Sequence, residues 1–154
     1  MLNLILPNSY ARQIDQTGLA AALHEGIITL GLPKNSSLTL RITNNRLIRQ
    51  FNYAWRGENS PTDVLSFENA FTDPETGEKY LGDIVISFEK ARQQAQLGGH
   101  SIQSEIELLF VHGLLHLAGF DHDQKEDWAE MTKKQDQILK KIGNPLQGGI
   151  QYNE

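Results

Sequence analysis

The stretch from Ser104 to Leu117 is strongly apolar and of helical length. It constrains the fold because a helix that is apolar on every side has to be buried, with the other elements laid around it. The polar residues it does carry are therefore informative. His112 and His116 lie four apart, so on a helix turning about 100° per residue they project side by side. The chain continues Leu117-Ala118-Gly119-Phe120-Asp121-His122. Gly119 tolerates the positive φ with which a helix ends, so the chain can reverse there and bring His122 round to the other two. Three neutral imidazoles can hold one ion at about 2.0–2.1 Å each and leave a fourth position open, as in catalytic zinc sites. Asp121 and Asp123 flank the third histidine and can orient an imidazole from behind.

The rest of the chain reads as a mixture of strands and helices. Leu2 to Leu6 is a short strand stopped by Pro7-Asn8-Ser9. Ile14, Leu19, Leu23, Ile27 and Leu30 mark a helix from about Ala11 to Leu30, closed by Gly31. Leu38 to Thr43 alternates as a half-buried strand. Asn44 or Asn45 caps a helix through Ala54 with Leu47, Ile48 and Phe51 inward and Trp55 a further candidate for the inner face. Val64 to Phe67 and Ile84 to Phe88 are strands, separated by the turn cluster Asp73 to Gly77. A helix runs from Glu89 to Leu97 and stops at Gly98-Gly99. Ser104 opens the apolar helix, with Glu107 in the capping-box position. A last helix extends from about Gln124 to Ile142 and ends at Gly143-Asn144-Pro145. Elements mix without strict alternation, so the expected class is α+β with a mixed sheet. Its 154 residues predict one domain over 1–154, with a loosely ordered tail after about 145.

Composition excludes several classes. There are no cysteines, hence no disulfide framework, thiolate metal site or cysteine nucleophile. No run approaches the roughly 20 apolar residues of a membrane span. The opening Met1 to Pro7 lacks the basic and apolar regions of an export signal, so a cytoplasmic protein is expected. The net charge of −5 is unevenly spread. Between Glu25 and Glu58 no acid occurs, while Lys34, Arg41, Arg46, Arg49 and Arg56 do. Such a segment reads either as a local face for a phosphate-bearing partner or as a solvated surface.

The histidine spacing, with Gly119, matches the metzincin protease pattern H-E-x-x-H-x-x-G-x-x-H. The second position, where those proteases keep a glutamate base, is Gly113. A peptidase would need Asp121, Asp123 or a carboxylate from elsewhere in the fold in its place.

The segment His112 to His122 resembles the H-G-x-L-H-L-x-G-Y-D-H signature of the bacterial rRNA-maturation endoribonuclease YbeY family. Trp55-Arg56-Gly57 through Pro61-Thr62-Asp63-Val64-Leu65-Ser66-Phe67 resembles that family's Y-R-G-K-D-x-P-T-D-V-L-S-F. Leu81-Gly82-Asp83-Ile84-Val85-Ile86-Ser87 resembles its L-G-D-I-V-I-S. Phe120, Trp55, Glu58-Asn59 and Glu68 depart from the pattern, and none is a histidine of the cluster. The resemblance implies a single α+β domain with one Zn2+ held by His112, His116 and His122 in a cleft, another divalent transition metal being the alternative. It further implies single-strand-specific cleavage of RNA in 16S rRNA 3′-end maturation and ribosome quality control, with Arg56 a functional residue. The implied partners are rRNA, the small ribosomal subunit and assembly factors including a GTPase; neither membrane nor DNA is expected. The alternatives are a hydrolase or peptidase of metzincin-like spacing, and an assembly factor whose metal is structural.

Arg56 ends the basic segment, and its planar guanidinium suits a phosphate bidentately. Phe51, Tyr53 and Trp55 offer either stacking surfaces for bases or core packing, with Phe51 read as core and Trp55 kept out of the site. Asp83 reads as an orienting residue, a general base or a turn residue, and is left out of the catalytic set. Glu105 and Glu107 need only the first-turn preference for carboxylates. His24 and His100 are assigned no function.

Overall fold

A computed structural model describes residues 1–120 and 125–146. Within them lie four strands, β1 (Leu2–Ile5), β2 (Ser36–Thr43), β3 (Val64–Thr72) and β4 (Lys79–Ser87). Six helices accompany them: α1 (Asn8–Ala11), α2 (Gln16–Leu30), α3 (Asn45–Arg56), α4 (Phe88–Gly98), α5 (Ile102–Leu117) and α6 (Lys125–Lys141). The strands form one sheet in the order β1-β2-β4-β3. β1, β2 and β4 run parallel, and β3 pairs antiparallel with β4. This is the expected mixed sheet of an α+β domain.

Period-two alternation sorts the two faces of the sheet. Leu38, Leu40, Ile42, Ile84 and Ile86 point to one side and are fully buried against the helices. α5 sits at the centre of that layer and touches β3, β4, α2, α4 and α6. Arg41, Asp83 and Val85 point to the other side, which α3 covers through a smaller cluster of Ile48, Leu65 and Val85. The active half of the molecule is set by this arrangement: the C-terminal end of α5 comes to lie on β3 and β4, where the Ser66 hydroxyl donates to the Gly113 carbonyl at 3.1 Å.

Several boundaries differ from the sequence expectation. The helix expected from Ala11 begins at Gln16, because the Asp15 side chain caps it by accepting from Thr17 N at 3.0 Å. The one-turn helix α1 occupies the place read as a stop. α5 is capped by Ser101, whose hydroxyl accepts from Ser104 N at 3.0 Å, so Ser104 is inside the helix. Glu107 is then no capping-box partner; its carboxylate instead takes Gln103 Nε2 and Asn144 Nδ2. The expected caps at Gly31, Asn44 and Gly99 are in place. Most of the tail, from residue 147, lies outside the described residues.

Candidate metal centre and substrate cleft

His112 and His116 stand on the same face of α5, as their spacing requires. Their rings are 4.7 Å apart and nearly perpendicular, and their Nε2 atoms approach to 3.1 Å. His112 is buried at 1% exposure, and its Nδ1 lies 3.2 Å from Gln135 Oε1 on α6. With the Gln135 amide oxygen turned to the ring, Nδ1 is the donor of this contact and Nε2 is the nitrogen free to bind an ion. Two imidazole nitrogens sharing one tetrahedral ion would stand about 3.3 Å apart, close to the separation found. The donor set therefore fits a divalent cation. Among the described residues no third metal-binding side chain joins the pair. His122, Asp121 and Asp123 lie outside the described residues.

The helix end behaves as the glycine predicts. Gly119 has φ 98°, a conformation that favours glycine. Its N–H returns to His116 O at 3.0 Å, and Phe120 N returns to Leu115 O at 3.0 Å. The chain turns back immediately after the second histidine.

Opposite this helix end lies Arg56. It closes α3, where a cation complements the negative end of the helix dipole. Buried Asn52 holds the following loop by donating to Ser60 O at 2.9 Å. The guanidinium lies 3.6 Å from exposed Glu58, a weak solvent-screened pair that leaves it available to an anion. Arg56 and His116 line one cleft of about 570 Å³, floored by Ser66 and Phe67 of β3.

A family model described as Endoribonuclease YbeY matches residues 8–143. This chain belongs to the endoribonuclease YbeY family. It is 43% identical over 113 residues to an Endoribonuclease YbeY of Sulfurovum, covering 72% of this chain and 76% of that one. The corresponding Bacillus licheniformis protein is 37% identical over 147 residues, covering 90% and 89%. The fold is similar to the solution structure of TM1509 from Thermotoga maritima, with a TM-score of 0.59, 21% identity and 94% coverage of both chains.

Family membership and the site geometry together explain Gly113. A β-carbon there would sit 3.0 Å from both Ile84 Cγ2 and Ser66 Oγ. The position packs against Ser66 of β3 and Ile84 of β4, and any side chain there would have to push those two side chains aside. A glutamate base at this position is disfavoured, and membership of an endoribonuclease family favours the nuclease over the peptidase.

Other sequence readings are revised by the structure. Trp55 lines the cleft, is 69% exposed and leans on Phe67 at 5.3 Å, so it belongs to the site from which it was left out. Phe51 packs as expected beside Ile48, Leu65 and Val85. Tyr53 faces a separate shallow hollow with Arg46 and Arg49. The basic segment accordingly divides: Arg56 serves the cleft, Arg46 and Arg49 the hollow at Tyr53, and Arg41 the outer sheet face. Phe120 lines the cleft without a hydroxyl.

Glu105 stands in the first turn of α5, as expected, but it is buried. It is 2% exposed, and His100 Nε2 lies 2.6 Å from its Oε1. Burial pushes its carboxyl above the usual range, partly opposed by the His100 contact. His100 thereby acquires a structural role. Gln135 and Glu68, a cleft carboxylate on β3, were missed by sequence reasoning. Glu68 was noted only as a departure from the family pattern, with no role; nothing local in α6 singles out Gln135.

Proposed function

We propose that this chain is a metal-dependent, single-strand-specific endoribonuclease acting in 16S rRNA 3′-end maturation and ribosome quality control. The observation that carries this reading is that Arg56 and His116 line one cleft, with buried His112 behind His116 at 3.1 Å between their Nε2 atoms. Family membership supports RNA as the substrate. Cytoplasmic work on the small subunit, alongside assembly factors including a GTPase, extends the same proposal.

His112, His116 and His122 would hold the metal, for which zinc is the first choice. A bound cation supplies positive charge that polarises a phosphoryl oxygen. His112 is held by Gln135 with its lone pair directed to the ion, so the site is ordered before the ion arrives. The Arg56 fork receives the scissile phosphate and stabilises the charge that grows on its oxygens as the bond to the leaving group breaks. Trp55 gives an unstacked base a surface to rest on. Glu68, the carboxylate among the described lining residues, would accept the proton of the attacking hydroxyl or water.

Cleavage of one rRNA fragment, offered single-stranded and annealed to its complement, tests this proposal. The single strand should be cut and the duplex spared, and Arg56→Ala should cut the single strand about 10²–10³-fold more slowly. A 2′,3′-cyclic phosphate on the product assigns attack to the 2′-hydroxyl; its absence assigns attack to water. If rigorously purified protein leaves single-stranded rRNA intact, the chain is an assembly factor and the nuclease proposal falls.

A further inference from the structure

The sheet face opposite α5 is only partly covered by α3. Beside α3 lies a second hollow of about 510 Å³. Trp55, Phe67 and Glu68 line both this hollow and the cleft, so the two adjoin along a shared wall. The wall is aromatic. Phe67 meets Phe51 edge-on at 6.3 Å and Trp55 at 5.3 Å. An exposed indole between two adjoining hollows is suited to stacking on a flat ring.

The other side of the hollow is polar, lined by Thr39, Arg41, Asn69 and Asp83. The Tyr80 hydroxyl lies 2.6 Å from Asp83 Oδ1 and 2.7 Å from Thr39 Oγ1. It has a single hydrogen, which goes to the carboxylate, so Thr39 donates to the Tyr80 oxygen. Both hydroxyl hydrogens are thus turned inward along the chain Thr39–Tyr80–Asp83. Asp83 Oδ2 takes no hydrogen bond among the described residues. What the hollow offers an occupant is a half-buried acceptor beside aromatic rings. Arg41, its guanidinium 5.8 Å from the Phe51 ring, adds a cation without an ion pair among the described residues.

We infer that this hollow is a nucleobase subsite for the RNA strand that enters the cleft, and that Asp83 selects a base presenting amino and ring N–H donors, as the Watson–Crick edge of guanine does. The inference rests on the endoribonuclease proposal and names how the strand is held. A single strand splayed over Trp55 sets its phosphate on Arg56 and lays an adjoining base against Phe67. Uracil, with two carbonyls on its edges and one ring N–H, satisfies the carboxylate less well.

The test is equilibrium binding of two short 2′-O-methyl, phosphorothioate-linked single strands, which resist cleavage, to the zinc-loaded full chain. One contains guanines and the other only uracil. Wild type should prefer the guanine-containing strand by about tenfold. Asp83→Asn, which turns an amide donor into the hollow, should lose that preference while keeping its affinity for the uracil strand. Arg41→Gln should weaken both strands by roughly threefold and reduce their salt dependence. Thermal melts confirm that each variant is folded. An unchanged preference in Asp83→Asn, or none in wild type, overturns the subsite. If Arg56→Ala alone weakens binding, the subsite falls and the endoribonuclease proposal stands. If wild type binds neither strand, both fall.

Discussion

At the start of α5, His100 Nε2 meets Glu105 Oε1 at 2.6 Å; at its end, His116 Nε2 meets His112 Nε2 at 3.1 Å. Each region sets a histidine against a second titratable group on the same buried helix. The first pair is complementary, a donor against a carboxylate, and needs nothing more. The second sets two like rings edge-on and nearly perpendicular, with their Nε2 atoms 3.1 Å apart, a spacing that suits a shared cation. The comparison shows why a histidine on an apolar helix is not by itself a functional signal. What decides its role is the chemistry of the group opposite, and whether the contact opens on a cleft.

Removing the ring at the open end should have the largest effect. His116→Ala should drop zinc content from about one per chain to near zero and cut RNA cleavage by at least about 10³-fold, the loss of several kcal/mol of charge stabilisation. The fold should survive, as read by circular dichroism. Arg56→Ala should lower the cleavage rate by about 10²–10³-fold with zinc content unchanged, which separates binding the ion from using it. At the closed end, Glu105→Ala should leave zinc content alone and cost about 1–3 kcal/mol of stability in urea titration, because His100 is left facing a void. A zinc loss in that variant would erase the distinction between the two ends.

Gln135→Ala should weaken zinc binding by about 10–100-fold in chelator competition, and Gln135→Glu should restore it, since a carboxylate also accepts from Nδ1. The smallest effect is one of pH. The Glu105 carboxyl is raised in the folded protein, first by burial, so the native state holds its proton more tightly than the unfolded chain. Its contribution to stability is therefore full at low pH and is lost as pH rises from the ordinary value of 4.5 through the raised one. Glu105→Gln should flatten that part of the stability profile.

The parts of this account legible in the sequence are those that local spacing fixes. The i, i+4 histidines, the turn at Gly119 and the caps at Asn44 and Gly99 follow from helix geometry, and the strand alternation of Leu38 to Ile42 follows from the pleat. Arg56 was legible through its matching block, and the sheet's mixed character through the irregular order of elements. What was not legible depends on contacts far apart in the chain. Gln135 reaches His112 from a different helix, Glu105 is buried by the packing of α4 and α5, and Trp55 is exposed only because α3 ends at the cleft. The α5 cap was misplaced by three residues because Ser101 and Ser104 offer the same side chain, and only the backbone tells which is outside the helix.

The central claim is that the ion at the open end of α5 and the cutting of RNA belong to one site. It is tested most directly by returning zinc in steps to metal-stripped protein and measuring single-stranded rRNA cleavage at each step. The account predicts a rate that climbs in proportion to added zinc and levels off at about one per chain. Cleavage at full rate before any zinc is added, or none after the site is filled, would contradict it.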